Sequence, residues 1–314
     1  MLPLTFQGDD FEMTGPANLP VSGTPAPEVI VDESLVRRLL ADQHPDLAAL
    51  PLQPVDAGWD NAMFRLGDRL AMRLPVRAAA ASLILHEQAW LPRFAARLPL
   101  PIPAPVRVGV PALGYPWHWS VIPWLPGQCA DQHEPDASEA RVLADFLRSI
   151  HTPAPPDAPA NPLRGVPLRQ RFAAIQPRLD RLSRLTNSIT PSVLEIWHEG
   201  LDAPLDIAPT WLHGDLHPRN VLVDRGALSG IIDWGDMTAG DRATDLASIW
   251  MLFADREAQH TALEHYGEVS ESTLKRAKGW VVMWGAVLLE TGLVDNPRHA
   301  RLGERILRQL AASA

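Results

Sequence analysis

The chain has 314 residues, enough for one large domain or two coupled lobes with a sizeable apolar core. Its 46% apolar and 21% charged residues are typical of a globular protein, and its net charge of −9 argues against a general nucleic-acid binder, which needs clustered Lys and Arg. A single cysteine excludes a disulfide framework, and neither a run of about 18 apolar residues nor a basic, apolar leader occurs, so we expect a cytoplasmic protein without a membrane partner.

The first segments along the chain predict a tail, a helix and a hairpin. Residues 1–27 are rich in Pro, Gly and Thr without periodicity, which is typical of a flexible tail. Asp32 precedes "ESLVRRLLADQ", whose leucines recur at helical spacing behind a capping acid. Between about 52 and 74 the apolar period changes to two, and Gly67-Asp68 predicts a tight turn between the strands "NAMFRL" and "RLAMRL".

A second helix and two more strands complete the predicted sheet region. The helix is expected over 79–91, and Pro92 is expected to end or kink it. Strands are expected near 105–110 and 117–125. The first 125 residues therefore predict a small, mostly antiparallel sheet with one main helix packed on it.

The rest of the chain is predominantly helical in pattern. Asp136 and Glu139 form a capping-box pattern before the amphipathic "ARVLADFLRSI", and the Pro-rich segment 152–167 predicts a surface loop. Only "NVLV" and "SGIID" are typical of strands, and a short turn joins them. Further helices are predicted near 168–186, 191–200, 242–254, 256–266, 271–293 and 297–312.

A dense polar cluster interrupts apolar sequence at residues 210–223, "TWLHGDLHPRNVLV". Its His213, Asp215 and Asn220, with a leucine after the aspartate, match the kinase catalytic loop H-R-D-L-x-x-x-N in type and spacing. Eighteen residues after Asp215 comes Asp233-Trp234-Gly235, which is similar to the kinase D-F-G. Because the predicted hairpin places Asn220 and Asp233 at one end of the same two strands, these polar groups are expected to converge.

These motifs resemble the aminoglycoside phosphotransferase family, small-molecule kinases whose signature is similar to H-G-D-x-x-x-x-N followed by I-D-W or I-D-F. The resemblance covers most of residues 50–310 and is strongest over 211–247. It implies an α+β, two-lobed protein-kinase-like fold. The N-terminal lobe, an antiparallel sheet with one main helix, is expected over 28–122, a hinge over 123–130, and a larger, mainly helical C-terminal lobe over 131–314.

The resemblance also implies a reaction, the transfer of the γ-phosphoryl group of ATP or GTP to a hydroxyl of a small molecule. Asp215 would orient the acceptor hydroxyl and take its proton late. Asn220 and Asp233 offer hard oxygen ligands, which suit Mg²⁺. The acceptor stays open among an aminoglycoside-type or related antibiotic, a sugar and an amino alcohol, and no oligomeric state is indicated.

The nucleotide side departs from protein kinases. No G-x-G-x-x-G occurs, and the resemblance points instead to "AGWDNAMF", where Gly58 and Asn61 could present donors to the phosphates. The strand cation is Arg73 where a kinase has Lys; an arginine keeps the charge but is a planar fork and not a point charge. Glu87 on the following helix is its expected partner, with an ordinary surface pair as the alternative.

The segment "WSVIPWLPG" resembles the family's hinge between the lobes. Pro123 has no N–H and can offer only its carbonyl, which would suit an adenine amino group, whereas Leu125 could donate its N–H to the ring. A merely buried edge strand is the alternative.

Two other hypotheses stay open at this point. A nucleotide-binding pseudokinase without significant turnover would explain the missing strand lysine, although Asp215, Asn220 and Asp233 are all present. A zinc hydrolase could use His213 and His217, but no H-E-x-x-H occurs, and we expect His213 to bond local backbone instead.

Three acids after the D-W-G have a predicted role of their own. Asp245 matches a family position that braces the helical lobe and is expected to be structural. Asp236 and Asp241 could bind amines of an acceptor or cap the helix expected near 242.

Overall fold

A computed structural model describes residues 26–55 and 60–312 of the protein. Its N-terminal part is a five-stranded antiparallel sheet in the order β1-β2-β3-β5-β4. The predicted hairpin is confirmed, with Leu66 opposite Leu70 across its turn. The strands are β1 (Leu52–Pro54), β2 (Asn61–Leu66), β3 (Leu70–Pro75), β4 (Arg107–Gly109) and β5 (Trp119–Pro123).

Two helices accompany this sheet, α1 (Glu33–Gln43) and α2 (Ala78–Ala95). The predicted cap of α1 is confirmed, because the Leu35 N–H donates to Asp32 Oδ1 at 2.8 Å. Helix α2 continues through Pro92 for three residues, so this proline does not end it. Phe94 is buried in the large core on the C-terminal side. The free energy gained by this burial offsets the helical hydrogen bond that Pro92 cannot make, so the helix continues.

Apolar side chains of α1 and of one sheet face form a core of their own. Leu39 and Leu40 of α1 meet Phe64, Met72 and Trp119 of the sheet there, all buried. This small core gives β3, which carries Arg73, a rigid support. The boundaries 28–122, 123–130 and 131–314 stay predictions.

Eight helices make up most of the remainder, so the predicted α+β architecture is confirmed. They surround the long helix α9, which packs against α4, α5, α6 and α10. They are α3 (Ala140–Ile150), α4 (Phe172–Leu185), α5 (Pro191–Asp202), α6 (Ala243–Leu246), α7 (Ser248–Leu252), α8 (Arg256–Tyr266), α9 (Glu271–Asp295) and α10 (Pro297–Ala312).

Helix α9 is the one helix within the described ranges that is long and apolar enough to cross a membrane. However, 78% of its apolar window is buried inside the protein. Its apolar surface is therefore accounted for by the core, in which Trp280 and Met283 are fully buried.

Five short strands accompany these helices, three more than the sequence predicted. The two expected strands are β8 (Val221–Asp224) and β9 (Ala227–Ile231), which pair in a hairpin with β6 (Gln128–Cys129) on its outer side. The prediction missed β6 itself, β7 (Thr210–Leu212) and β10 (Thr238–Gly240), of which the last two pair with each other. Strands of two or three residues are too short to show a period of two.

The predicted capping box before α3 is wrong. A 3₁₀ turn, Ala137–Glu139, precedes the helix, and Asp136 makes no side-chain cap bond. Glu139 instead accepts the Leu228 N–H at 2.9 Å, a contact with β9 that local sequence does not reveal. Tertiary pairing has replaced the local cap.

Candidate active site

The loop between β7 and β8 carries the polar cluster, and a buried acid holds its backbone. Asp245 of α6 accepts the His213 N–H at 2.7 Å and the Gly214 N–H at 2.9 Å. The backbone of Gly214 has φ +84°, and a Cβ there would collide with the Asp236 carbonyl oxygen, so glycine is required. The structural role predicted for Asp245 is confirmed by these two bonds.

Asp215 and Asn220 lie in direct contact within this loop. The Asn220 amide nitrogen donates to Asp215 Oδ2 at 3.0 Å and to the Asp215 carbonyl at 2.8 Å. Because its nitrogen is used in this way, the amide oxygen of Asn220 is the atom left for a cation. Hard oxygen of this kind fits Mg²⁺.

Asp233 follows β9 and reaches the same end of the hairpin as Asn220. Val221 pairs with Ile231, and the Ile232 N–H donates to the Asn220 carbonyl at 2.9 Å. Asp233 itself has φ +61°, an uncommon conformation for a residue other than glycine, and 53% of its side chain is exposed. The structure therefore brings together Asp215, Asn220 and Asp233, and offers both a carboxylate and an amide oxygen to a metal ion.

The two histidines of the loop bond local backbone. The His213 ring lies 3.0 Å from the Ile232 carbonyl through Nε2 and accepts the Asp215 N–H at 3.2 Å through Nδ1. His217 Nδ1 accepts the Arg219 N–H at 3.2 Å, and burial lowers the pKa of this ring more than Asp215 raises it. In the part of the chain that the structure describes, no group of three His, Cys, Asp or Glu forms that could hold a metal ion. These contacts favour the structural interpretation of His213 over the zinc-hydrolase hypothesis.

Arg73 of β3 connects the sheet to this site. Its Nη2 donates to Asp233 Oδ1 at 2.8 Å and lies 3.2 Å from Glu87 Oε1 of α2, so the predicted Arg73–Glu87 pair forms. Burial raises the pKa of Glu87, with Arg73 opposing it in part. Partial desolvation raises the pKa of the half-exposed Asp233 carboxyl, but the charge and hydrogen bond of Arg73 outweigh it, and the pKa lies below its usual value. Asp233 is thus held ionised, as a metal ligand must be.

Among Arg73, Glu87 and Asp233, two atoms are buried without a hydrogen-bond partner in the described residues. They are Arg73 Nε and Glu87 Oε1. An unsatisfied buried donor is costly, so a ligand oxygen at Arg73 Nε would remove a penalty. A phosphate group is an acceptor of that kind. The residues present therefore fit a nucleotide phosphate.

The other predicted nucleotide residues lie along β2 and at the end of β5. Asn61 begins β2 opposite Pro75, beside the strand that carries Arg73. Gly58 falls outside the described residues. Pro123 ends β5 opposite Leu70, and the next residue, Trp124, donates its N–H to the Arg69 carbonyl at 2.8 Å. Since backbone groups alternate in direction along a strand, the Pro123 carbonyl faces away from β3. Leu125 lies two residues beyond the end of this strand.

Sequence analysis missed one residue of the site, Arg164, which lies in the predicted Pro-rich loop. Its guanidinium donates to Asp215 Oδ1 at 3.2 Å and to Asp236 Oδ2 at 3.1 Å, and it lies 4.3 Å from the centre of the Trp284 ring. No motif marks this arginine, since its position depends on how the loop folds back over β7 and β10.

Asp236 and Asp241 therefore differ in their roles. Asp241 accepts the Ala243 N–H at 3.1 Å, as the helix-cap alternative predicted, and binds Arg276 of α9 at 2.6 Å. Asp236 caps no helix and binds Arg164 and Asn161 instead.

Comparisons with known proteins bear on the fold and the family. A family model described as the phosphotransferase enzyme family matches residues 51–280. Aminoglycoside 3'-phosphotransferase of Escherichia coli is 31% identical over 140 residues, 42% of this chain and 51% of that protein. An uncharacterized protein of Bacillus subtilis (strain 168), YcbJ, is 25% identical over 182 residues, 57% of each chain. The chain thus matches about half the length of these relatives.

Solved structures match over nearly their whole length. Aminoglycoside 2'-phosphotransferase-IIIa in complex with GDP has a TM-score of 0.64 at 17% identity, over 90% of this chain and 99% of that chain. Macrolide 2'-phosphotransferase from Brachybacterium faecium has a TM-score of 0.56 at 20% identity, over 87% and 97%. At such identities the likeness concerns the fold, and the predicted two-lobed architecture is confirmed by it.

Proposed function

The chain belongs to the phosphotransferase enzyme family, and from this premise we propose that it transfers the γ-phosphoryl group of ATP or GTP to a hydroxyl of a small molecule. The observation that carries the proposal is the convergence of Asp215, Asn220 and Asp233 at one end of the β8–β9 hairpin. Phosphoryl transfer asks a protein mainly to position groups and to neutralise charge, which such a cluster can do.

Asp215 is the catalytic residue in this proposal. Asn220 and Arg164 each hold one of its carboxylate oxygens, so its orientation is set before an acceptor arrives. A carboxylate fixed in this way accepts a hydrogen bond from the acceptor hydroxyl and takes the proton as the phosphoryl group moves. Restricting the acceptor to a productive geometry is a large part of such catalysis.

Asn220 and Asp233 would hold Mg²⁺ through their oxygen atoms, and the bound ion would neutralise charge on the phosphates. Arg73 would contact the phosphates through the Nε donor that is otherwise unsatisfied. Glu87 pairs with the same Arg73 nitrogen as Asp233 does and helps to keep Arg73 in place. Pro123 and Leu125 would present a carbonyl and an N–H to the base, with residues 123–130 as the hinge.

The acceptor belongs to the class of hydroxylated small molecules. Relatives that match in sequence or fold include phosphotransferases of aminoglycosides and a macrolide, and these names support an antibiotic or a compound of similar size. The family match supports action on a small molecule, and a net charge of −9 does not favour a nucleic-acid partner.

The test is Mg²⁺-dependent consumption of ATP and of GTP by the purified chain across a panel of hydroxylated compounds. We expect consumption that depends on both Mg²⁺ and one acceptor, with phosphate found on that acceptor by mass spectrometry. Thermal stabilisation by a nucleotide without consumption on any acceptor would instead establish the pseudokinase alternative. EDTA serves as the control for metal dependence.

A further inference from the structure

Arg164 lies where an acceptor must approach Asp215. Its Nη2 bridges Asp215 Oδ1 at 3.2 Å and Asp236 Oδ2 at 3.1 Å, and its Nε donates to the same Asp236 oxygen at 3.2 Å. The face of its guanidinium lies over the Trp284 ring of α9. Only 17% of the Arg164 side chain is exposed, so this cation is part of the wall of the site and not a surface group.

The loop that carries Arg164 is fixed to the site by backbone contacts. The Arg164 N–H donates to Asn161 Oδ1 at 3.2 Å, and the Asn161 N–H donates to Thr238 Oγ1 of β10 at 3.1 Å. Gly165 has φ +66° and lies against Gly240. A Cβ on Gly240 would collide with the Gly165 backbone, and a Cβ on Gly165 would collide with the Leu212 side chain. Its carbonyl accepts the Asp241 N–H at 2.8 Å. The guanidinium is therefore held in place by the loop backbone as well as by its own bonds.

The two acids nearest the proposed acceptor position share one cation, to which each directs a carboxylate oxygen. Asp215 and Asp236 are the groups that would attract an ammonium group of an acceptor, and Arg164 pairs with both. An ammonium group would therefore have to compete with Arg164 for carboxylate oxygens that are already hydrogen-bonded. An acceptor ammonium at this position would meet Arg164 at close range in a partly buried site, where like charges repel strongly.

We propose that Arg164 is a specificity-determining residue that selects acceptors whose reacting end is neutral or anionic and rejects those with an ammonium group beside the reacting hydroxyl. This inference rests on the proposed phosphotransfer to a small-molecule hydroxyl. It separates this chain from an aminoglycoside kinase, since aminoglycosides carry several ammonium groups. A hydroxyl or carboxylate of the acceptor can accept a hydrogen bond from Arg164 where an ammonium group cannot.

The experiment compares acceptors that share a skeleton and differ in charge, in matched sets such as glucose, glucuronate and glucosamine, together with kanamycin. Values of kcat/KM for each acceptor are measured with wild-type protein, Arg164→Gln and Arg164→Lys. The control is Arg169→Gln, which removes the same charge from an exposed position just after this loop, where the arginine pairs with Asp202. Circular dichroism and thermal unfolding confirm that each variant is folded.

In wild-type protein we expect the neutral or anionic member of a set to exceed the ammonium-bearing member by about tenfold or more, as like charges in a partly buried site require. Arg164→Gln should reduce that ratio to about threefold or less through the acceptor KM, with the nucleotide KM unchanged. Arg164→Lys and Arg169→Gln should keep the wild-type ratio between the acceptors.

Two results would overturn the inference while leaving the proposed function intact. One is a wild-type enzyme that phosphorylates the ammonium-bearing acceptors best. The other is an unchanged charge ratio in folded Arg164→Gln. Absence of turnover on every acceptor would overturn the proposed function, and this inference with it.

Discussion

The nucleotide side and the acceptor side of the site share one arrangement, an arginine between two carboxylates. Arg73 lies between Glu87 and Asp233, and Arg164 lies between Asp215 and Asp236. They differ in what carries the arginine, because Arg73 belongs to a central strand of the sheet whereas Arg164 belongs to a loop. The same electrostatic arrangement can therefore be built on a regular element or on a loop. Sequence spacing reveals it on the regular element but not on the loop.

The two arginines also differ in whether their N–H donors have hydrogen-bond partners. The Arg73 side chain is 9% exposed and keeps a buried Nε without an acceptor among the described residues. Arg164 uses both Nε and Nη2 in bonds to acids. Arg73, on the proposed nucleotide side, therefore keeps a buried donor that a phosphate oxygen would satisfy, whereas Arg164, on the proposed acceptor side, is bonded to acids of the chain itself.

The largest expected effect is on the rate of phosphoryl transfer, with little change in nucleotide binding. Asp215→Asn keeps the shape of the side chain but removes the proton acceptor, so we expect kcat to fall by about 10²–10⁴. The nucleotide Kd, measured by fluorescence or calorimetry, should stay within about threefold. Asp224→Asn, at an exposed acid on β8, is the control. Undiminished turnover in Asp215→Asn would refute the catalytic assignment.

The second prediction concerns the support of the acceptor side. Arg276 of α9 is 2% exposed and binds Asp241 at 2.6 Å and Asp206 at 2.9 Å. Arg276→Gln leaves Asp241 buried and unpaired, which should lower the free energy of unfolding by about 3–5 kcal/mol. The measurement is urea unfolding.

Its control is Lys275→Gln, which breaks an exposed, solvent-screened pair with Glu271 on the same helix and should leave the free energy of unfolding almost unchanged. If the two variants lost the same amount of unfolding free energy, the distinction between the buried network and the surface pair would be wrong.

The third prediction addresses the nucleotide side alone. Arg73→Gln removes a charged donor to the phosphates, so the nucleotide KM should rise by about 10- to 100-fold, the equivalent of a hydrogen bond to a charged group. The acceptor KM should change little. Arg107→Gln, at an exposed position of β4 in the same sheet, should have neither effect. A larger rise in the acceptor KM than in the nucleotide KM would show that the two sides are not separate.

The smallest effect is a change in the pH dependence of stability. Burial lowers the pKa of His299 on α10 to about 4, and Arg219 of the catalytic loop adds to the shift. The ordinary pKa of an exposed histidine is 6.5, so between the two pKa values the unfolded chain takes up a proton that the folded chain does not. Stability is therefore lost as pH falls from about 6.5 to about 4. Unfolding in urea at pH 7.5, 6 and 5 should show a shallower decline for His299→Gln than for the wild type.

Much of the nucleotide side could be predicted because its residues lie on regular elements with characteristic spacing. The hairpin of β2 and β3 fixes Arg73, the next helix supplies Glu87, and a motif at kinase spacing supplies Asp233. Helices α8 and α10 match their predicted bounds, since their apolar periods are long enough to define them. The roles of these site residues stay predictions.

The errors have a common origin in tertiary contacts. Pro92 does not end α2 because apolar burial continues the helix past it. Glu139 bonds β9 and not its own helix. Strands β7 and β10 are visible only through their pairing, and that pairing is what brings the loop with Arg164 to the site.

Sequence alone was enough to place most helices, the longer strands, the loop at residues 213–220 and the acid that follows β9, because periodicity and motif spacing are local properties of the chain. The contact between Arg164 and Asp215 depends on the tertiary structure, since these residues are 51 apart in the chain and meet through a loop without a pattern. The electrostatic interaction between charges that are distant in sequence becomes strong only when the fold brings them within a few ångströms of each other. At that distance it is strong enough to affect which ligand binds.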